Sequence, residues 1–322
     1  GNAGMTGTSV NALAFGGYTG SATAVMEEWN ALTPIGAWST GVSLNTARYN
    51  MTSGGDTTSE AAIFFGGNTS GSPPLTGVTE SFNGSAWTEV ADLNTARNGF
   101  MGNGTPTSAL GYGQDDPARS GLTESWNGTS WSEVADLSTI RRQGGGLGAD
   151  NESALAFAGE NASVNLIVDT EQWNGSAWTE VANFNTGRLN MACSGIVTAG
   201  LAVAGRQVSP TVLKTSVESW NGSAWTEVGD VNTARYAAYG SKVDYSNMFA
   251  SGGYSTTVLD ITEVWNGSSW TETTDMNTAR QTGGSAGTQA TGLIFGGSTG
   301  SITGVTEEWS GSSVLTKSVD TD

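Results

Sequence analysis

Short runs of alternating apolar and polar residues recur along the whole chain. Val78-Thr79-Glu80-Ser81-Phe82 alternates, Asn83-Gly84 interrupts it, and Ala86-Trp87-Thr88-Glu89-Val90 alternates again. A period of two is the pattern of a half-buried strand. Asn-Gly between two such runs predicts a hairpin, because both residues tolerate positive φ. Before each hairpin lies an apolar run ending in small residues, such as Ala62-Ile63-Phe64-Phe65-Gly66-Gly67 or Leu293-Ile294-Phe295-Gly296-Gly297, and before that a weakly apolar stretch such as Tyr236-Ala237-Ala238-Tyr239. Each unit therefore predicts four short antiparallel strands. No stretch carries a helical period with caps.

The units repeat. Their third-strand aromatics are Trp29, Phe82, Trp126, Trp173, Trp220, Trp265 and Trp309, spaced by 53, 44, 47, 47, 45 and 44 residues. A lone four-stranded sheet cannot bury both faces, and a ring of such sheets can, so this period predicts a β-propeller. Counting the anchors gives seven blades, at 1–47, 48–96, 97–140, 141–187, 188–234, 235–279 and 280–322, in one domain over 1–322. The fourth-strand tryptophans Trp38, Trp87, Trp131, Trp178, Trp225 and Trp270, with Val314 in the last copy, are expected between blades. On this count the ring closes by packing the first blade against the seventh, without exchange of a strand. The first copy starts one residue after its expected Arg, so a propeller excised from a longer protein is expected.

The order Arg, glycine doublet after an apolar run, aromatic, then Trp resembles the kelch repeat over the whole chain. The doublet departs from that pattern at Gly111-Tyr112-Gly113, Ala158-Gly159 and Ala204-Gly205. The wording Trp173-Asn174-Gly175-Ser176-Ala177-Trp178-Thr179-Glu180-Val181, closed by Asn185-Thr186-Gly187-Arg188, is similar to kelch-type virion proteins of bacteriophages, marine phages especially. The resemblance implies a structural or adhesion protein of a virion, located on the particle or outside the cell, within a larger symmetric assembly.

Charge narrows the partners. Twelve Lys and Arg against 30 Asp and Glu give a net charge of −18. Such a surface repels nucleic acid and anionic membranes. No apolar run is long enough to cross a membrane. The single cysteine, Cys193, cannot form an internal disulfide and is expected as a small buried hydrophobe.

Six of the nine arginines are repeat residues: Arg48, Arg97, Arg141, Arg188, Arg235 and Arg280. Recurrence favours a structural role, with each paired to a repeat carboxylate such as Glu80, Glu124, Glu171, Glu218 or Glu263, or to turn carbonyls; the competing reading is a cationic ring that captures an anion. With Trp87, Trp131, Trp178, Trp225 and Trp270 they form the expected structural repeat set. The loops between second and third strands differ from copy to copy, and antiparallel order puts them on the face that carries the Asn-Thr-Ala-Arg connections. That face is the expected binding surface, with Asp115, Asp116, Arg119, Arg206, Lys214 and Tyr254 as its ligand-binding candidates.

The chain has no histidine. Histidine-dependent triads and imidazole metal sites are excluded, and with them the copper site of galactose oxidase, which shares the kelch propeller. The Ser-x-Asp-x-Gly-x-x-Trp boxes of sialidase propellers are missing too. A carboxylate pair for glycoside hydrolysis stays open in principle, although most glutamates occupy repeat positions. Asp115-Asp116 lacks the rest of a calcium ligand set. We therefore expect no catalytic residue, no metal and no cofactor. The leading expectation is a non-enzymatic virion module on a fibre, tail or capsid appendage, in contact with other virion proteins and with a host-surface glycan or protein. The alternatives are a purely structural decoration protein without a host ligand and a secreted glycan-active enzyme.

Overall fold

The computed structural model describes residues 36–55, 59–69, 75–115, 118–208, 211–242 and 245–311, and the strand backbone at 4–7, 11–18 and 22–30. The chain divides into two compact units, Ala37–Gly311, and Gly1–Gly36 with Ser312–Asp322.

The larger unit is a β-propeller of six four-stranded antiparallel blades, not seven. Blade I comprises Thr52–Gly55, Ala62–Phe65, Thr79–Phe82 and Trp87–Val90. Blade II spans Met101–Thr105 to Trp131–Val134, blade III Gly145–Leu147 to Trp178–Val181, blade IV Ala192–Ile196 to Trp225–Val228, and blade V Tyr239–Gly240 to Trp270–Glu272. Blade VI takes its first three strands, Gly284–Gly287, Thr291–Phe295 and Thr306–Ser310, from one end of the unit and its fourth, Ala37–Thr40, from the other.

This overturns both the blade count and the expected closure. Sequence order assigns Trp38 to the copy anchored at Trp29. Strand pairing puts it opposite Trp309, in the same cross-strand position as Trp131 opposite Trp126 and Trp178 opposite Trp173. An open third strand must find a partner for its free N–H and C=O row, and Ala37–Thr40 supplies one that ties the two ends of the ring together. Val314 lies outside the described residues. In the smaller unit, Gly4–Gly7, Asn11–Tyr18 and Ala22–Asn30 form a three-stranded antiparallel sheet with a bulge between Phe15 and Gly17.

Blades are joined by the fourth-strand tryptophans. Five of the six pack on a second-strand ring of the preceding blade: Trp131 on Phe65, Trp178 on Tyr112, Trp225 on Phe157, Trp87 on Phe295 and Trp38 on Phe249, with ring centroids 4.5–5.9 Å apart. Four of the indole N–H groups also donate to a third-strand threonine of that preceding blade. The pairs are Trp131 with Thr79, Trp178 with Thr123, Trp225 with Thr170 and Trp38 with Thr262, at 3.1–3.3 Å. Blade IV has Val217 in that position, and Trp270 turns instead to the carbonyl of Gly229. Trp87 donates to the Val42 carbonyl, and the buried Thr306 hydroxyl has no partner among the described residues.

The Asn-Gly hairpins differ from the two-residue turn that the dipeptide predicts. Phe82 pairs with Trp87, so four residues form the loop. Only Gly84 takes positive φ, at 88°. The Asn83 Oδ1 accepts from the N–H groups of Ser85 and Ala86 and from the Ser85 hydroxyl, and the same Asx-type turn recurs at Asn127, Asn174, Asn221 and Asn266.

Candidate functional site

The six repeat arginines are fully buried and each forms an ion pair within its own blade: Arg48–Glu80, Arg97–Glu124, Arg141–Glu171, Arg188–Glu218, Arg235–Glu263 and Arg280–Glu307. Each carboxylate also gathers the chain that enters the blade. The Asn45 and Thr46 N–H groups donate to Glu80, and those of Ser138 and Thr139 donate to Glu171, at 2.7–3.1 Å. Burial lowers Arg48 and Arg97 to about 10, against the pull of Glu80 and Glu124, so both remain cations at neutral pH. The arginine carbonyls close the seam to the neighbouring blade by accepting glycine N–H groups, as in Gly67 to Arg97 and Gly205 to Arg235. With their guanidinium groups committed in this way, the repeat arginines have no charge left over for an anion.

The residue after five of the six repeat arginines lies on the loop face and bridges to the end of the second strand or the loop that follows it. Tyr49 pairs with Asn68, Arg142 with Glu160, Leu189 with Arg206, Tyr236 with Tyr254 and Gln281 with Ser298. Two clusters grow from these bridges. Between blades II and III, Arg142 binds both the buried Glu160 and, at 2.6 Å, Asp115, while Arg119 lies 3.7 Å from each of those carboxylates. Desolvation acts to lower the Arg142 guanidinium, and its bonds to Asp115 and Glu160 outweigh that and raise it. Asp115 and Arg119 thus satisfy one another through two residues absent from the sequence-based candidates. Asp116 lies outside the described residues.

Between blades IV and V, the Arg206 guanidinium sits over the Tyr236 ring, 4.5 Å from its centroid, and the Tyr236 and Tyr254 rings lie 5.5 Å apart. All three side chains are half-buried, and the Arg206 Nε has no hydrogen-bond partner among the described residues. An extra hairpin, Arg206–Val208 with Thr211–Leu213, stands beside them. Lys214 enters through its backbone, donating to the Gly205 carbonyl, and makes no ion pair among the described residues. Two of the candidates, Arg206 and Tyr254, are therefore brought to one place, and Tyr236 completes it.

Inside this ring of loops lies the mouth of the axial channel. The residues two positions after the repeat arginines, namely Asn50, Gly99, Gln143, Asn190, Ala237 and Thr282, all have φ between 51° and 59°. Each N–H donates to the carbonyl of its counterpart in the preceding blade, at 2.8–3.2 Å, and Asn50 donates to Thr282 to complete the circuit. The left-handed backbone is what turns each N–H along the ring instead of along the strand. Below the circuit is a cavity of about 150 Å³, lined by first-strand residues of all six blades. Cys193 faces it and is half-buried, not sealed in the core as its residue type suggested. Burial pushes its thiol up to about 11, although Lys242, the Gly146 N–H and Arg188 act the other way. Among the described residues there is no cluster of three metal-ligating side chains, and no helix is long and apolar enough to cross a membrane.

No family model matches this chain. No curated protein matches it either. Among solved structures it is similar to YjhT, at 12% sequence identity and a TM-score of 0.68, over 83% of this chain and 95% of that one. At that identity the likeness is one of fold: both chains are β-propellers.

Proposed function

We propose that this propeller is a non-enzymatic recognition module of a virion, carried on a fibre, tail or capsid appendage, that binds a host-surface glycan through its loop face. The observation that carries the binding reading is the Arg206–Tyr236–Tyr254 cluster. Two half-exposed tyrosines offer apolar ring faces to the C–H side of a sugar and hydroxyls to its hydroxyl groups, and the half-buried Arg206 guanidinium is held over the Tyr236 ring beside them. The cluster occurs at one seam, whereas the framework below it is common to the blades. The placement on a virion rests on the likeness of the repeat wording to kelch-type phage proteins.

The test is binding of the fluorescently labelled chain to host cells and to an array of bacterial surface glycans. Saturable binding is expected. The double substitution Tyr236→Ala and Tyr254→Ala should weaken it at least tenfold, equivalent to about 1.4 kcal/mol. Tyr245→Ala should leave it unchanged, because this exposed tyrosine sits between a first and a second strand, on the opposite face. Absence of binding would favour a decoration role without a host ligand, and turnover of a bound glycan would favour the enzyme.

A further inference from the structure

We propose that the axial channel is a binding site for a small hydroxycarboxylate, with Lys242 as the cation for its carboxylate and Asn103 as the acceptor for its hydroxyl. The channel has two compartments, the one of about 150 Å³ below the backbone circuit and a narrow one of about 10 Å³ toward the opposite face. Gly102, Gly146, Cys193 and Lys242 line both, so they mark the junction.

Among the described residues, Lys242 is the one charged residue in either lining. It makes no ion pair among the described residues, whereas every repeat arginine has its own glutamate. Lys242 is half-buried, and desolvation lowers its ammonium, an effect that only Cys193 opposes. An enclosed cation without a counter-charge is unfavourable, and an anion bound beside it offsets that cost. In a chain of net charge −18 the described residues of both linings include no carboxylate, so none of them sets a like charge against an incoming anion.

Asn103 supplies the second contact. It is 4% exposed and lines the narrow compartment. Its Nδ2 donates to the carbonyls of Asp150, at 2.6 Å, and Ser153, which fixes the amide so that Oδ1 is the free end. That oxygen has no partner among the described residues. A buried acceptor without a donor calls for one, and a compartment of this size holds one water-sized group. A hydroxyl fits it, while the larger compartment, comparable to a cavity that takes benzene, has room for a ligand of about six heavy atoms. Lactate has this size and both groups.

Cys193, the single cysteine, faces the junction and reports on it. The experiment compares its alkylation by iodoacetate, an anion, and by iodoacetamide, its neutral analogue of similar size, followed by intact mass at pH 8.5. The ratio of the two rates should be at least fivefold higher than for glutathione under the same conditions. Lys242→Met should bring the ratio down to the glutathione value or below it. Millimolar lactate should slow both reagents in the unaltered chain and propionate should do so less, a difference that Asn103→Ala should erase. Circular dichroism melting establishes that each variant is folded, and the lactate arm on the unaltered chain requires no variant. A ratio unaffected by Lys242→Met, equal protection by lactate and propionate, or no alkylation of Cys193 by either reagent would each overturn the assignment.

Discussion

Replacing Trp38 by alanine is expected to lower the melting midpoint of the ring by about 10 °C. The side chain is 7% exposed, packs 5.1 Å from Trp309 and 5.9 Å from Phe249, and donates its indole N–H to Thr262. Truncating a buried aromatic costs about 3–5 kcal/mol, and each kcal/mol shifts the midpoint of a ring this long by about 2–4 °C. The same truncation at Trp131 removes a comparable contact within a covalently continuous blade. At Trp38 it also loosens the strand that joins the two ends of the unit. Hydrogen exchange should therefore quicken in Thr306–Ser310 for Trp38→Ala and not for Trp131→Ala. A chain that begins at residue 43 lacks the closing strand altogether. It should melt at a lower temperature still, with part of the loss recovered by a peptide of residues 36–42. If that truncated chain melts like the full one, another segment occupies the edge of Thr306–Ser310 and strand exchange does not close this ring.

What could be read from the sequence and what could not divides along one physical line. The arginines, glycine doublets and tryptophans recur because each residue type meets a similar neighbour in most blades, and recurrence is visible without coordinates. The closure was hidden because Trp38 matches the fourth-strand pattern equally well behind Trp29 and behind Trp309; only pairing decides between them. The threonines that receive the indole N–H groups were hidden for another reason, since Thr is common in strands and Val217 breaks the series. The backbone circuit at the channel mouth repeats a φ value and not a residue type, so Asn50, Gly99, Gln143, Asn190, Ala237 and Thr282 share nothing in sequence except their distance from an arginine. On the loop face the charge of Asp115 and Arg119 drew attention, and the structure spends that charge on Arg142 and Glu160. Tyr236 carried no signal, because it stands in the repeat position after Arg235 where Leu189 and Gln281 stand in other blades.

The ion pairs set the second large effect. Glu171→Ala should destabilise the ring by about 3–5 kcal/mol, because it leaves a buried guanidinium without its counter-charge. Glu171 accepts from Arg141 at 2.7 Å and from the backbone N–H groups of Ser138 and Thr139 at 2.7 and 3.0 Å, so its loss also orphans two donors at the entry to blade III. Arg141 keeps its bonds to the carbonyls of Asp169 and Ala158, which hold it in place without neutralising it. Glu171→Gln keeps one acceptor for Arg141 and Thr139, sets its NH2 against the Ser138 N–H and removes the charge, and should cost less than the alanine, about 1–3 kcal/mol. Combining Arg141→Met with Glu171→Leu removes both charges together, and should recover part of what Glu171→Ala loses. Urea unfolding of the three variants gives this order directly. The pairs in blades III and VI are far apart in the ring, so Glu171→Ala and Glu307→Ala should add to within about 0.5 kcal/mol. If Glu171→Ala instead proves neutral while the chain gains affinity for sulfate or phosphate, the guanidinium groups hold exchangeable anions, and their role as struts within the blades is wrong.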